Sequence, residues 1–360
     1  MTGPLSGYRI IEMGGIGPGP FAAMMLADHG AEVIRIERPG ASLGIGDTMV
    51  RSRKLISLDL KTAADVASLR ALAKTAHGFI EVFRPGTMER LGLGPEVLLA
   101  DNPALVYARM TGWGQTGPYA RFAGHDLNYI ALCGAGHAIG TVDQPVPPLA
   151  LAGDYGGGGM MLAFAMTAAL LHAETTGEGQ VVDCAMAEGA GLLMSQTYGM
   201  HAAGDWKNVR GVNILDGGAH FYGAYETADG KFISIGSIEP QFYAQLLDAL
   251  DLRDDPDFAA QMDQAKWPVL KQRLAAIFRT RSRDEWCRRM EYSDICFAPV
   301  LDLDEAPLHP QAVARGSFTT MGGVVQPAPA PRYSCTPLND PCMSIAADLD
   351  QLIAGRPGAI

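Results

Sequence analysis

Apolar and polar positions alternate along the first half of the chain in a pattern that changes period from two to about 3.6 and back again. Tyr8–Met13 reads as a short strand. A glycine- and proline-rich turn, Gly14–Pro20, follows it. Phe21–His29 reads as a helix closed by Gly30, which suits the left-handed cap position. Glu32–Glu37 is the next strand. One βαβ unit of this length predicts parallel strands. The pattern repeats with strands at Leu55–Leu60, Gly78–Phe83 and Leu105–Met110 and a helix at Ala63–Ala76. This alternation over residues 1–195 predicts a doubly wound α/β large domain with a parallel sheet.

Residues 196–219 are polar and irregular and read as a connection. Beyond them the pattern belongs to a smaller α+β domain over residues 220–310. Ala224–Thr227 and Lys231–Ile235 flank Asp229-Gly230, a hairpin signal. Helices are predicted at Pro240–Leu250, Trp267–Phe278 and Ser282–Met290. The first carries Phe242, Leu246, Leu247 and Leu250 on one face, and the last opens on a capping box, Ser282 to Glu285. Residues 311–360 begin with an extended, proline-rich stretch expected to return to the large domain.

Composition narrows the function classes. Apolar residues make up 48% of the chain, enough to fill a sizeable core. The net charge of −11 argues against nucleic acid as a partner. That charge is uneven. Residues 1–100 carry 11 basic and 10 acidic residues, whereas the other 260 carry 17 and 29. A polyanionic ligand is better received by the N-terminal part. The six cysteines form no CxxC pair, and a reducing compartment, the cytoplasm, is the expected location. The most apolar run, Gly156–Leu171, is shorter than the ~20 residues that cross a bilayer, so a buried helix and no membrane insertion are expected.

Several residues can carry chemistry. The turn Gly14–Pro20 contains Gly15-x-Gly17 but has Pro20 where a dinucleotide fingerprint wants glycine or alanine. A tight turn under the sheet accounts for it as well as a ligand contact does. Arg38, Arg51, Arg53, Lys54, Lys61, Arg84 and Arg90 cluster near predicted strand ends, where phosphates bind, although any one of them alone reads as a solvated charge. His125 precedes an apolar helical run. There, N–H groups stabilise negative charge, and imidazole suits acid and base work at neutral pH. A capping Asp126 beside a structural histidine fits the same residues. Asp154 stands before Gly156–Gly159 and reads either as a helix N-cap or as a functional carboxylate that a ligand can approach. Glu239 precedes Pro240 and reads as a helix N-cap acid.

Taken together, the segments GGIGPGPFAAMMLADHGAEVIRIERPG, RPGTMERLGLGP, TGWGQTGPYARFAGHDLNY, AGDYGGGGMM, NILDGGAHFYGAYETADGKF and IGSIEPQFY resemble the α-methylacyl-CoA racemases of the class III CoA-transferase superfamily. The resemblance runs from Pro4 to at least Pro299 and is weakest over residues 254–266 and beyond about 320. It implies that His125 and Asp154 are the catalytic acid/base pair and that Glu239 supports them. It implies CoA contacts at Arg38, at Leu58, Asp59, Leu60 and Lys61, at Glu81, Val82 and Phe83, at Arg84 and Arg90, and over Gly124–Tyr129, Asn128 included. It also implies an interlocked homodimer with each active site between the large domain of one chain and the small domain of the other.

The implied reaction interconverts (2R)- and (2S)-2-methylacyl-CoA by moving the α-proton through an enolate. Backbone N–H groups near Gly124 and Asp126 are the expected oxyanion donors. No metal and no separate cofactor is expected, because CoA belongs to the substrate. The rival reactions are a CoA transfer with Asp154 as nucleophile and a non-catalytic acyl-CoA binder.

Overall fold

A computed structural model describes residues 2–44 and 46–355. The chain divides into two compact units. The large unit comprises residues 1–135, 148–195 and the C-terminal stretch from Pro310, and the small unit residues 136–147 and 196–309. The segment 136–147, which lies within the large domain in sequence, belongs to the small unit.

The large unit is built on six strands: β1 (Arg9–Met13), β2 (Glu32–Glu37), β3 (Arg53–Ser57), β4 (Gly78–Glu81), β5 (Val106–Thr111) and β6 (Gln180–Ala185). A two-residue strand, Ile345–Ala346, adds a seventh at the β3 edge. All pairings are parallel, in the order Ile345–Ala346, β3, β2, β1, β4, β5, β6. The order 3-2-1-4-5-6 is that of a doubly wound sheet, and it reverses direction between β1 and β4. A crevice therefore opens beyond the C-terminal ends of these two strands.

Side chains alternate across the sheet and face two cores. Ile10, Val33, Ile80 and Ala108 pack under helix α1 (Pro18–Asp28) and a long helix described below. Ile11, Ile34, Phe79 and Tyr107 pack with Leu69 and Leu72 of α2 (Ala63–Ala73). Helix α1 starts three residues earlier than the hydrophobic pattern suggests. Pro18 has the helical φ built in, and Gly17 turns the chain before it with φ 71°. The helix ends in a Schellman motif: Gly30, at φ 99°, lets Ala31 N–H reach Leu26 O and its own N–H reach Ala27 O.

Further along are α3 (Asp126–Leu132), α4 (Leu151–Thr176) and α5 (Met186–Leu193). The first ten residues of α4, Leu151–Met160, wind as a π-helix, and the remainder is α-helical. Length and composition alone would let α4 cross a membrane, but half of its most apolar stretch is buried inside the protein. Leu162, Met166 and Leu170 fill the sheet's core.

The tail is more ordered than a purely extended stretch. Phe318–Met321 and Val324–Pro327 pair as an antiparallel hairpin, and Arg9 Nη1 donates to Leu352 O and Gly355 O at 2.9 Å each.

In the small unit, β7 (Tyr222–Glu226), β8 (Phe232–Gly236) and β9 (Phe297–Val300) form an antiparallel sheet. Gly230, at φ 73°, makes the turn expected of Asp-Gly. Helices α6 (Pro240–Ala249), α7 (Trp267–Phe278) and α8 (Arg283–Met290) cover it. Ser282 and Glu285 complete their capping box. The stretch read as an irregular connection begins with a helix, Ser195–Ala203.

Candidate active site

The crevice between β1 and β4 sits on a buried ionic frame. Glu12 in β1 is inaccessible and pairs with Arg35 of β2 and with Arg53 of β3, the latter at 2.9 Å. Arg35 also reaches forward to Gly15 O at 3.0 Å. The main chain of the glycine loop is thereby tied to the sheet, and Gly14 N–H donates to Ile36 O at 2.8 Å.

This frame corrects part of the basic cluster seen in sequence. Arg53 is consumed by Glu12, Pro20 O and Arg51 O. Arg51 is buried against Asp28, and Lys54 pairs with Glu32. None of the three is free to receive a phosphate. Tertiary pairing decided this, because exposed and buried arginines look alike in sequence. Arg38, Lys61, Arg84 and Arg90 are exposed.

Three grooves adjoin one another along this edge. The first, of about 740 Å³, is lined by Gly14–Gly17, Arg38, Leu58–Lys61 and Phe83. The second, of about 430 Å³, shares Ile16, Gly17 and Phe83 with it and is lined further by Val82, Arg84, Gly124, His125, Tyr129 and Asp154. The third, of about 610 Å³, continues past Arg84 to Arg90 and Arg121. Glu81 and Asn128 line none of these. The buried Glu81 carboxylate holds Arg109 Nε at 2.9 Å and accepts the Phe83 N–H at 2.7 Å, which shapes the turn after β4. Asn128 accepts the His125 N–H at 3.0 Å.

His125 is exposed and occupies the N-cap of α3. Asn128 N–H and Tyr129 N–H both return to His125 O, so the N–H groups of Asp126 and Leu127 precede the first intrahelical bond. Asp154 is not an N-cap. It lies in the π-helical start of α4, after Leu149 and Ala150, which hold left-handed φ values of 55° and 61°. Strained backbone and π-turns both concentrate at functional sites.

The two candidates are joined through Asp126, whose carboxylate Oδ1 accepts from Gly153 N–H at 2.6 Å and Asp154 N–H at 2.7 Å. A Cβ at Gly153 would come within 2.5 Å of that oxygen, so the position needs glycine. The glycines that follow serve close packing. Gly158 lies under Pro18 and Met186, and Gly157 meets Gly189 of α5 backbone to backbone.

Partial burial raises the Asp154 carboxyl above its ordinary pKa, and the negative charge of Asp126 adds to this, while His125 opposes it. Burial, with the two aspartates, pushes the Tyr129 phenol up to about 12. The Tyr129 hydroxyl donates to Gly124 O and holds the loop before His125. The site thus presents to one groove a histidine and a carboxyl whose pKa is raised. Glu239 belongs to the small unit, exposed at the N-cap of α6. Ile16, Trp113 and the Asp126 bracket were not legible as site features, although Gly153 ahead of Asp154 is a trace of the last.

Residues 5–340 match CoA-transferase family III. The chain belongs to that family. It is 45% identical over 336 residues to a mouse α-methylacyl-CoA racemase, a match covering 92% of this chain and 87% of the relative. It is 43% identical to the human protein of that name over 335 residues, with the same coverage. A succinyl-CoA–L-malate CoA-transferase α subunit from Chloroflexus aurantiacus is 31% identical, over 93% of this chain and 84% of the relative. Among solved structures, a hypothetical protein from Mycobacterium tuberculosis superposes with a TM-score of 0.79 at 29% identity, covering 95% and 97% of the two chains.

Proposed function

We propose that this family member is an α-methylacyl-CoA racemase that moves the α-proton of a 2-methylacyl-CoA between His125 and Asp154. The observation that carries this reading is that both groups line one groove, bridged by Asp126. The relatives named as racemases at 43–45% identity support it.

The thioester carbonyl acidifies the α-hydrogen, and the N–H groups at the start of α3 would hold the developing enolate oxygen. One group removes the proton from one face and the other returns a proton to the opposite face. Neutral His125 with protonated Asp154 serves one direction, and the charge-exchanged pair serves the other. No metal or redox chemistry enters these steps. The glycine-loop groove, rimmed by Arg38 and Lys61, and the Arg84–Arg90 groove are suited to the phosphates of CoA.

A homodimer fits the same reading. Leu132, Leu151, Met160, Phe164, Leu171 and Leu192 are all exposed on α3–α5, more apolar surface than scattered single residues explain. Glu239 then supports His125 from the partner chain. No disulfide forms among the described residues, which suits a reducing cytoplasm, and a 2-methylacyl-CoA substrate suits a role in fatty acid metabolism.

Incubation with a 2-methylacyl-CoA in D2O tests the function. α-Deuterium incorporation with loss of optical purity is expected. His125→Ala and Asp154→Ala should each lower it by ~10²–10⁴-fold with CoA affinity retained. Transfer of CoA to a free acid, with Asp154 as nucleophile, would assign the protein to the transferase branch instead.

A further inference from the structure

The strongest remaining feature is the buried carboxylate between the two reacting groups. Asp126 is only 7% exposed, yet among the described residues it neither faces an arginine nor caps its own helix. Its Oδ1 is given wholly to two main-chain N–H groups of another segment, those of Gly153 and Asp154. We propose that Asp126 is a positioning residue: its carboxylate clamps the π-helical turn at Gly153–Asp154 and sets a fixed negative charge beside the Asp154 carboxyl, making Asp154 the group that carries the proton when His125 is neutral. The assignment rests on the racemase reading of the site.

Three observations converge. The clamp is short and double, and Gly153 leaves no room for a side chain between the two segments. The turn it holds enters from two left-handed non-glycine residues and makes an i to i−5 bond from Tyr155 N–H to Ala150 O, so its main chain departs from the ordinary helical path where the clamp grips it. Finally, few charges compete at Asp154. Helix α3 contributes Asp126, His125 and the Tyr129 phenol, and α4 contributes Tyr155. The glycine loop and α1 present Gly17 and Pro18, α5 presents Met186, and Arg84 stands on the groove wall. Burial is the largest influence favouring the protonated form of Asp154, and of these groups Asp126 is the acid whose charge adds to it. A racemase working at neutral pH needs one partner of its pair protonated, and an aspartate in water is not.

Two substitutions separate the parts of this role. Asp126→Asn keeps an oxygen that accepts both N–H bonds and removes the charge. Asp126→Ala removes both. Carboxyl 13C titration of labelled aspartates, with the Asp154 signal assigned by its loss in Asp154→Asn, should show the Asp154 midpoint falling in Asp126→Asn. Asp126→Ala should lower kcat for α-proton exchange by ~10²-fold with KM little changed, as misplacement of a reacting group does. Asp126→Asn should recover most of that loss at a more acidic optimum. An unmoved Asp154 midpoint, or equal impairment of the two variants with an unshifted pH profile, would overturn the proposal. If Asp126→Ala does not fold, the Asp126→Asn titration still decides. That titration needs no turnover, so absent exchange in the wild-type protein would count against the racemase reading and leave the clamp to be judged by its midpoint.

Discussion

The two units differ in what fills their interiors. Beneath the glycine loop, the large unit buries Glu12, Asp28, Arg35, Arg51 and Arg53 and pairs every one of them. The small unit's core is aromatic: Phe221, Tyr225, Tyr243, Phe258, Trp267, Phe278 and Trp286 pack around it. Its inaccessible histidine, His220, stands among the rings of Phe221, Tyr243 and Phe258. His220 Nε2 meets the Tyr243 hydroxyl at 2.8 Å, while Nδ1 has no hydrogen-bond partner among the described residues.

The difference teaches where each unit spends its polarity. In the large unit, buried charge fixes the main chain that shapes a groove, and an apolar replacement of similar volume would hold the fold but not the loop. In the small unit, the buried imidazole supports packing and is tolerated only while neutral.

The contrast breaks most sharply at Glu12. Glu12→Ala leaves Arg35 and Arg53 buried without their common anion, and stability should fall by ~3–5 kcal/mol. Urea unfolding measures this. A loss under ~1 kcal/mol would mean that the frame is not what holds the glycine loop.

Acid should weaken the small unit through His220. Burial lowers His220 to about 4 from an ordinary value of 6.5. The unfolded chain therefore takes up a proton that the folded chain refuses between these values. Stability is unaffected above pH 6.5 and falls as the pH drops towards 4, by about 3 kcal/mol across the window. His220→Phe should remove this part of the acid sensitivity. Matching pH–stability curves for the variant and the wild type would show that His220 does not report on the small unit's core.

The smallest effects are expected at the groove rims. Arg38→Ala, Arg84→Ala and Arg90→Ala should each weaken CoA binding by ~1.5–3 kcal/mol without changing the thermal midpoint, because these arginines are exposed and unburdened by the ionic frame. Titration calorimetry with CoA separates them. Unchanged affinity in all three would move the nucleotide away from this edge.

Much of this is legible in the sequence. The Asp-Gly hairpin, the Ser282–Glu285 capping box and the cap at Gly30 are local events, each set by a few adjacent residues. The site was legible less evenly. Asp154 looked like an N-cap, since a carboxylate ahead of a glycine run has that signature, yet the helix begins before it, at Leu151. The π-turn that carries it is bonded to Asp126, which lies 28 positions away from the Asp154 N–H it accepts. Arg51 and Arg53 counted towards the basic cluster because the anions that claim them, Asp28 and Glu12, lie on other elements.

The sequence by itself determined the parallel α/β sheet, the smaller hairpin-and-helix unit and the residue types able to exchange a proton. Periodicity and capping act over a few residues, and the chemistry of imidazole and carboxyl groups is intrinsic to them. Only the tertiary structure decided which charges are spent inside the protein, which remain at the groove, and that Asp126 joins the turn bearing Asp154 to the helix headed by His125. Those outcomes depend on desolvation and on hydrogen bonds between segments distant in the chain, and neither is written in the order of neighbouring residues.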